Sequence, residues 1–313
     1  MSKLYLHLGS WPFLFLALTS PSQAFELSVQ KVTDNVYALI GSTGGRTYDN
    51  YGLNNNLGFI ITPGGVVLID SGSSTPAARM VEKTIKGVTD KSIRWVINTG
   101  SQDHRWLGNR YFSQKGAQII ALARTAETQK SHAAEETRYL AERLKDHFGD
   151  TTPLTAPEPV QDDQKTLNLG GEKIALMWLG DAHFPGDAVV WLPQQNILFS
   201  GDLVYVDRIL GIHPWSNILD WQKAFHKMEA LQPKTIIPGH GQVCLLEKAQ
   251  QETGAYLDWL IENIGQALED WKDLDETVDS LKNATQFRHL RHFESWHPTN
   301  VNRAYLQMEQ LSR

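Results

Sequence analysis

Gly180-Asp-Ala-His-Phe-Pro-Gly-Asp187 runs directly into the apolar Ala188-Val-Val-Trp-Leu192 and, after Pro193-Gln-Gln-Asn196, into Ile197-Leu-Phe-Ser-Gly-Asp202. Two short apolar runs broken by Pro, Gly and Asn read as buried strands, and a histidine or an aspartate stands beside each. The same design recurs at Thr235-Ile-Ile-Pro-Gly-His240, and Ile174 to Leu179 reads as a further strand ahead of His183. A strand fixed by its ladder, with a turn free to aim a side chain, is a good device for gathering ligands that lie far apart in the chain. His183, Asp202 and His240 therefore stand as candidate metal ligands, because zinc takes imidazole nitrogen and carboxylate oxygen.

Working outward, Val36–Ile40, Gly58–Ile61, Val66–Ile69, Ile93–Ile97 and Ala117–Ala123 predict strands, with Pro63-Gly-Gly65 as the turn of a hairpin. Thr75–Ile85 predicts a helix, and Leu140, Leu144 and Phe148 give the segment from Thr125 to Phe148 a helical period, as a surface helix at the rim of the site. After His240, residues Tyr256, Leu257, Leu260, Ile261, Ile264, Leu268 and Trp271 predict one apolar helix face. His289 and His292 at an i, i+3 spacing read more simply as a solvated face than as a second metal site. The organisation expected is a leader over 1–24, an α/β body over 25–245 and a helical extension over 246–313 packed on it.

The leader rests on Lys3, the apolar Trp11–Leu18 and the small residues of Ser22-Gln-Ala24, which predict export to the periplasm with cleavage after Ala24. The apolar stretch is too short to span a membrane. With 29 basic and 35 acidic residues, the formal net charge of −6 gives no basic surface for nucleic acid or an anionic membrane, which leaves a small-molecule substrate. One cysteine, Cys244, allows no internal disulfide, and its apolar neighbours predict a buried thiol.

The order Asp70-Ser-Gly72, Asn98-Thr99, Gly180–Asp187, Gly201-Asp202 and Pro238-Gly-His240 resembles the metallo-β-lactamase fold superfamily over roughly residues 35 to 245. That resemblance implies an αββα sandwich. Within the superfamily, the loop Asn98-Thr-Gly-Ser-Gln-Asp-His-Arg-Trp-Leu-Gly-Asn109 resembles the quinoprotein relay system zinc metallohydrolases, which implies a link to a periplasmic quinoprotein alcohol-oxidation system. The loop departs from the family pattern. Without a gap, the family's two loop histidines become Gly100 and Gln102, its aspartate becomes His104 and its last histidine becomes Arg105. Aligned instead on the Asp-His pair, Asp103 and His104 are kept. The implied ligands are His104, Asp202 and His240, joined by Asp103 in the second alignment, with His183 left from the other metal position. One zinc ion is expected, with a second weak or absent.

The resemblance implies a zinc-dependent hydrolase of an ester, thioester, lactone or amide, in which Asp103 or Asp202 orients water and Gln102 or Arg105 stabilises an oxyanion. The alternative from another class is a metal-poor binding protein that uses Arg105 to hold an anion. Asp70 and Asp187 are expected to accept backbone hydrogen bonds at tight turns.

Overall fold

The structure is a computed structural model that describes residues 25–312. Eleven strands are found among the described residues: β1 (Ser28–Lys31), β2 (Val36–Ile40), β3 (Leu57–Thr62), β4 (Gly65–Ile69), β5 (Ile93–Ile97), β6 (Gln118–Ile120), β7 (Gln164–Leu169), β8 (Glu172–Met177), β9 (Val189–Leu192), β10 (Ile197–Tyr205) and β11 (Thr235–His240). The helices between them are α1 (Thr75–Lys86), α2 (Asp103–Trp106), α3 (Asn109–Gln114), α4 (Ala123–Leu144) and α5 (Ile218–Ala230). The chain ends in α6 (Leu246–Ala249), α7 (Ala255–Glu269), α8 (Leu274–Leu281) and α9 (Phe293–Ser312).

Strands β1 to β6 form one sheet in sequence order, and the second has the order β11-β10-β9-β8-β7. Side-chain alternation assigns the faces. On β4, Val67 and Ile69 enter the core between the sheets, while Val66 and Leu68 face a core shared with Ala77, Ala78 and Val81 of α1. On β10, Ile197 and Phe199 enter the same inter-sheet core, while Leu198 packs with Trp221 and Phe225 of α5 and with Leu257 and Leu260 of α7. The result is the expected αββα sandwich with a C-terminal helical region. Truncating a buried leucine such as Leu260 to alanine would cost about 2–5 kcal/mol, so these helices contribute to the same stability as the strands they cover.

Three differences from the sequence reading have physical causes. The strand expected over Ile197–Phe199 continues to Tyr205, because Gly201 takes a left-handed conformation (φ 51°) that shifts register against β11 without ending the pairing. Asp202 therefore lies within a strand. The strand expected over Ala117–Ala123 is only Gln118–Ile120, and α4 starts at Ala123. Trp271 is not on the apolar face of α7; it follows the helix end with φ 59° and is 93% exposed. The pair β7 and β1 carried too little apolar alternation to be read in advance.

Each sheet carries a parallel pair beside the site, β4 with β5 in the first, where β5 also pairs parallel with β6, and β10 with the edge strand β11 in the second. Asp70, His104 and Arg105 follow the first pair, and Asp202 and His240 lie near the ends of the second. The carboxyl ends of parallel strands thus bring these five residues to one edge of the sandwich.

Candidate metal centre

The centre of the site is a cation supplied by the chain. Arg105 is 1% exposed, and its guanidinium donates through Nε to Asp202 Oδ2 at 2.7 Å and through Nη2 to Asp202 Oδ1, while Nη1 donates to Asp70 Oδ2 at 2.7 Å. Asp70 follows β4 with φ 61° and also accepts from the backbone N–H and hydroxyl of Thr99. Two carboxylates on one guanidinium leave one net negative charge in the group. Burial works against ionisation of Asp202, yet Arg105, donating to both of its oxygens, holds its carboxyl well below the usual carboxylate range.

Gly100 explains why Arg105 points inward. A Cβ at Gly100 would meet Arg105 Cδ at 2.8 Å and Asp187 Oδ1 at 3.0 Å. The space that a side chain at position 100 would take is filled by the arginine stem. Gly239 is tight for the same reason, with Asp202 Oδ1 at 2.6 Å and Arg105 Nη2 at 2.7 Å from a notional Cβ.

Three imidazoles lie at or beside this group. His104 Nδ1 lies 3.2 Å from Asp103 Oδ1, His240 Nδ1 lies 2.7 Å from Asn54 O, and His183 Nδ1 lies 2.7 Å from Gly211 O. A carbonyl oxygen can only accept, so the 2.7 Å contacts put hydrogen on Nδ1 of His240 and His183 and, in a neutral ring, leave Nε2 a bare lone pair, whereas His104 Nδ1 lies between the acceptor Asp103 Oδ1 and the donor Arg46 Nη1 at 3.1 Å. Burial, with the neighbouring Arg208 cation, pushes His240 down to about 3, so its ring is neutral near pH 7. Burial and His213 likewise hold His183 well below the usual histidine range.

The Nε2 atoms nearest Asp202 are poorly served by the protein alone. His104 Nε2 is buried with no hydrogen-bond partner, 3.7 Å from Asp202 Oδ2, and His240 Nε2 lies 3.2 Å from Asp202 Oδ1, acceptor against acceptor. One ligand atom from each of His104, Asp202 and His240 falls within 4.8 Å of the others. A cation among them would turn these repulsive contacts into ligation, and two imidazoles with a carboxylate suit zinc. The residues fit one ion.

His183 stands beside this group rather than in it; its Nε2 lies 3.3 Å from Gln102 Oε1. Asp103 faces away from Asp202, with Arg46 Nη1 donating to its Oδ1 at 2.7 Å. Burial opposes its ionisation, but Arg46 and His104 keep its carboxyl below the ordinary range. Asp187 accepts the backbone N–H of Phe184, as expected of a turn residue. Cys244 is buried, its thiol pushed up to about 12 by loss of solvation.

Residues not singled out from sequence hold these groups in place. Asn56 Nδ2 donates to Pro238 O and Gly241 O, fixing the turn that carries His240. Above the site, the segment 42–50 is fastened from the far end of the chain: Arg291 Nη1 donates to Thr43 Oγ1, His292 Nε2 to Thr43 O at 2.9 Å, and the buried Arg208 to Gly44 O at 3.4 Å. None of these residues carries a local sequence signal, because their partners lie far along the chain.

A buried histidine–aspartate–histidine group at the edge of an αββα sandwich defines a class of metal-dependent hydrolases. The metallo-beta-lactamase superfamily model matches residues 50–240, and the chain belongs to that superfamily. It is 28% identical over 212 residues to metallo-beta-lactamase IND-1 of Chryseobacterium indologenes, covering 66% of this chain and 78% of that protein. It is 24% identical over 261 residues to metallo-beta-lactamase type 2 of Bacteroides fragilis, covering 79% and 94%. Among solved structures, a metallo-beta-lactamase from Pontibacter korlensis superposes with a TM-score of 0.58 at 21% identity over 74% of this chain and 99% of that one. TMB-1 gives 0.59 at 19% over 75% and 98%. These likenesses show the fold. The protein is a metallo-β-lactamase-fold hydrolase with a buried His–Asp–His group for a metal ion. No helix among the described residues is long and apolar enough to cross a membrane.

Proposed function

We propose that the protein is a zinc-dependent hydrolase of an ester, thioester, lactone or amide, in which His104, Asp202 and His240 hold one ion. The observation that carries this reading is the convergence on Asp202 of His104 Nε2, buried without a hydrogen-bond partner, and His240 Nε2 at 3.2 Å, with one ligand atom of each residue within 4.8 Å of the others. The names of the relatives, all metallo-beta-lactamases, support a cyclic amide within that range. Bound zinc supplies a Lewis acid and lowers the pKa of a coordinated water toward neutrality.

The chain's own residues have separate tasks. Asp103 acts behind His104: a carboxylate on the far nitrogen of a ligand imidazole fixes its tautomer and raises its basicity. Arg105 sets the orientation of Asp202 and supplies in the fold the positive charge that a second ion would bring. Gln102 borders the open cavity next to the site and offers its amide N–H to a developing oxyanion, whereas the guanidinium of Arg105 is enclosed by Asp70 and Asp202. His183, oriented by Gly211 O, stands beside Gln102 as a proton acceptor on the cavity side. The site residues all belong to 25–245, which we take as the catalytic body, with 246–313 as its helical cover. The narrower tie to quinoprotein alcohol oxidation is supported by the loop Asn98–Asn109, and periplasmic placement by the leader over 1–24, which lies outside the described residues.

The test is elemental analysis of protein purified without chelator, together with turnover of a chromogenic β-lactam and a 4-nitrophenyl ester. About one zinc per chain is expected, lost in Asp202→Ala and His240→Ala while circular dichroism is retained. Hydrolysis that stops with chelator and returns with zinc supports the reading. Zinc content unchanged in both variants, or no turnover of either substrate by the zinc-loaded protein, rejects it.

A further inference from the structure

Beside the metal centre lies a cavity of about 170 Å³. Its floor is Gln102 and Asp103, the two residues ahead of His104. One wall is α4, where His132, Glu136 and Tyr139 recur at helical spacing and so face the same side. The opposite wall is Phe184 with His213 and Trp215.

The walls are aromatic and already meet, edge to face at His132 and Trp215 and tilted at Phe184. His132 and Trp215 have ring centroids 4.9 Å apart at 67°, Phe184 and His213 5.3 Å apart at 55°, and Phe184 and Trp215 5.6 Å apart at 45°. His213 meets His183 edge-on at 4.8 Å, which connects this wall to the proton acceptor of the site. Trp215 is 41% exposed and forms the rim of the cavity, open to an incoming ligand. At the floor Arg46 is paired with Asp103 at 2.7 Å, and Glu135 and Glu136 of α4 also line the cavity, which disfavours an anionic group there.

We propose that this cavity is the specificity pocket of the enzyme and takes a single uncharged aryl ring of the substrate, held between Tyr139 of α4 and the rings of Phe184 and Trp215, with the touching His132–Trp215 pair closing one side. The volume sets the size, because an apolar cavity of about 150 Å³ accommodates one benzene ring. The chemistry sets the kind: aromatic pairs in offset or edge-to-face contact add about 0.5–1.5 kcal/mol beyond their buried area. That corresponds to roughly a 2- to 12-fold preference for a phenyl over a cyclohexyl group of like size. With the ring in this cavity, an attached carbonyl lies toward Gln102, and on that point the inference rests on the hydrolase reading.

The experiment separates the two. N-benzylacetamide and N-(cyclohexylmethyl)acetamide are titrated by NMR into full-length protein held metal-free with chelator, where no turnover occurs. The benzyl compound should bind roughly 2- to 12-fold tighter. Trp215→Leu, on the exposed rim, should bring the ratio close to one, and His132→Leu on the other wall should lower it as well. Equal affinity for the two compounds in the natural protein, or a preference that survives both variants, overturns the pocket. An aryl preference in a protein that hydrolyses nothing would leave the pocket standing and remove the hydrolase reading instead.

Discussion

Replacing Arg105 by methionine keeps the length of the stem and removes the guanidinium, which leaves Asp70 and Asp202, each 1% exposed, without their counter-ion. Breaking a buried ion pair by removing one partner costs about 3–5 kcal/mol, because the survivor is an uncompensated buried charge. Here two carboxylates are left, so the upper part of that range is expected unless one of them takes a proton. At roughly 2.1 cal/mol/K per residue, a chain of 313 residues has an unfolding entropy of about 0.65 kcal/mol/K, and the melting temperature should fall by about 5–8 °C. Adding Asp70→Asn to Arg105→Met removes one orphan charge and should recover about 1–2 kcal/mol, a non-additivity that a structural accident would not give. Guanidinium denaturation with chelator present, so that metal binding does not contribute, measures both. A single variant within 1 kcal/mol of the natural protein, or a double variant weaker than the sum of the two changes, would refute the reasoning.

Gly100→His should destabilise by about 1–3 kcal/mol in thermal melts, because its Cβ meets Arg105 Cδ at 2.8 Å, and the cost should disappear when Arg105→Ala is made with it. Even with Gln102→His added, zinc titration should show no tight second ion while Arg105 remains. Cys244 should be inert to thiol reagents in the native protein at pH 8 and react once urea is added. Because burial raises its pKa from about 9 to about 12, the folded chain keeps a proton that the unfolded chain has lost; this stability is present below pH 9 and lost as pH rises toward 12, as melts across that range would show.

Much of this architecture was legible because its periods are short. The alternation in Val66–Ile69 and the breaks around Ala188–Leu192 gave the strands, and the residues next to them gave His183, Asp202 and His240. The direction of Arg105 was not legible, since it depends on the empty space at Gly100 and on Asp70 from another strand. Nor could the loop's alignment be chosen from sequence; the fold turns His104 toward Asp202 and sets Asp103 against Arg46 on the far side of the ring. Asn54 and Asn56 act on the His240 turn across more than 180 residues, a separation at which no local pattern survives. Gly201 hid the length of β10, because a glycine after Phe199-Ser reads as a stop when it is a bulge.

The fastening of Thr43 by Arg291 and His292 bears on the order of events in the life of the chain. The group of His104, Asp202 and His240 is only 1–2% exposed beneath its surroundings, so an ion reaches it when the overlying segment lifts and is retained when that segment is pinned. The pins lie 248 and 249 residues along the chain from Thr43, so the site is closed by a distant part of the chain, and loading is easiest before that part has docked. In the finished protein, loss of the ion is set by how often the latch opens, so a chelator would remove it on the timescale of local unfolding rather than of diffusion.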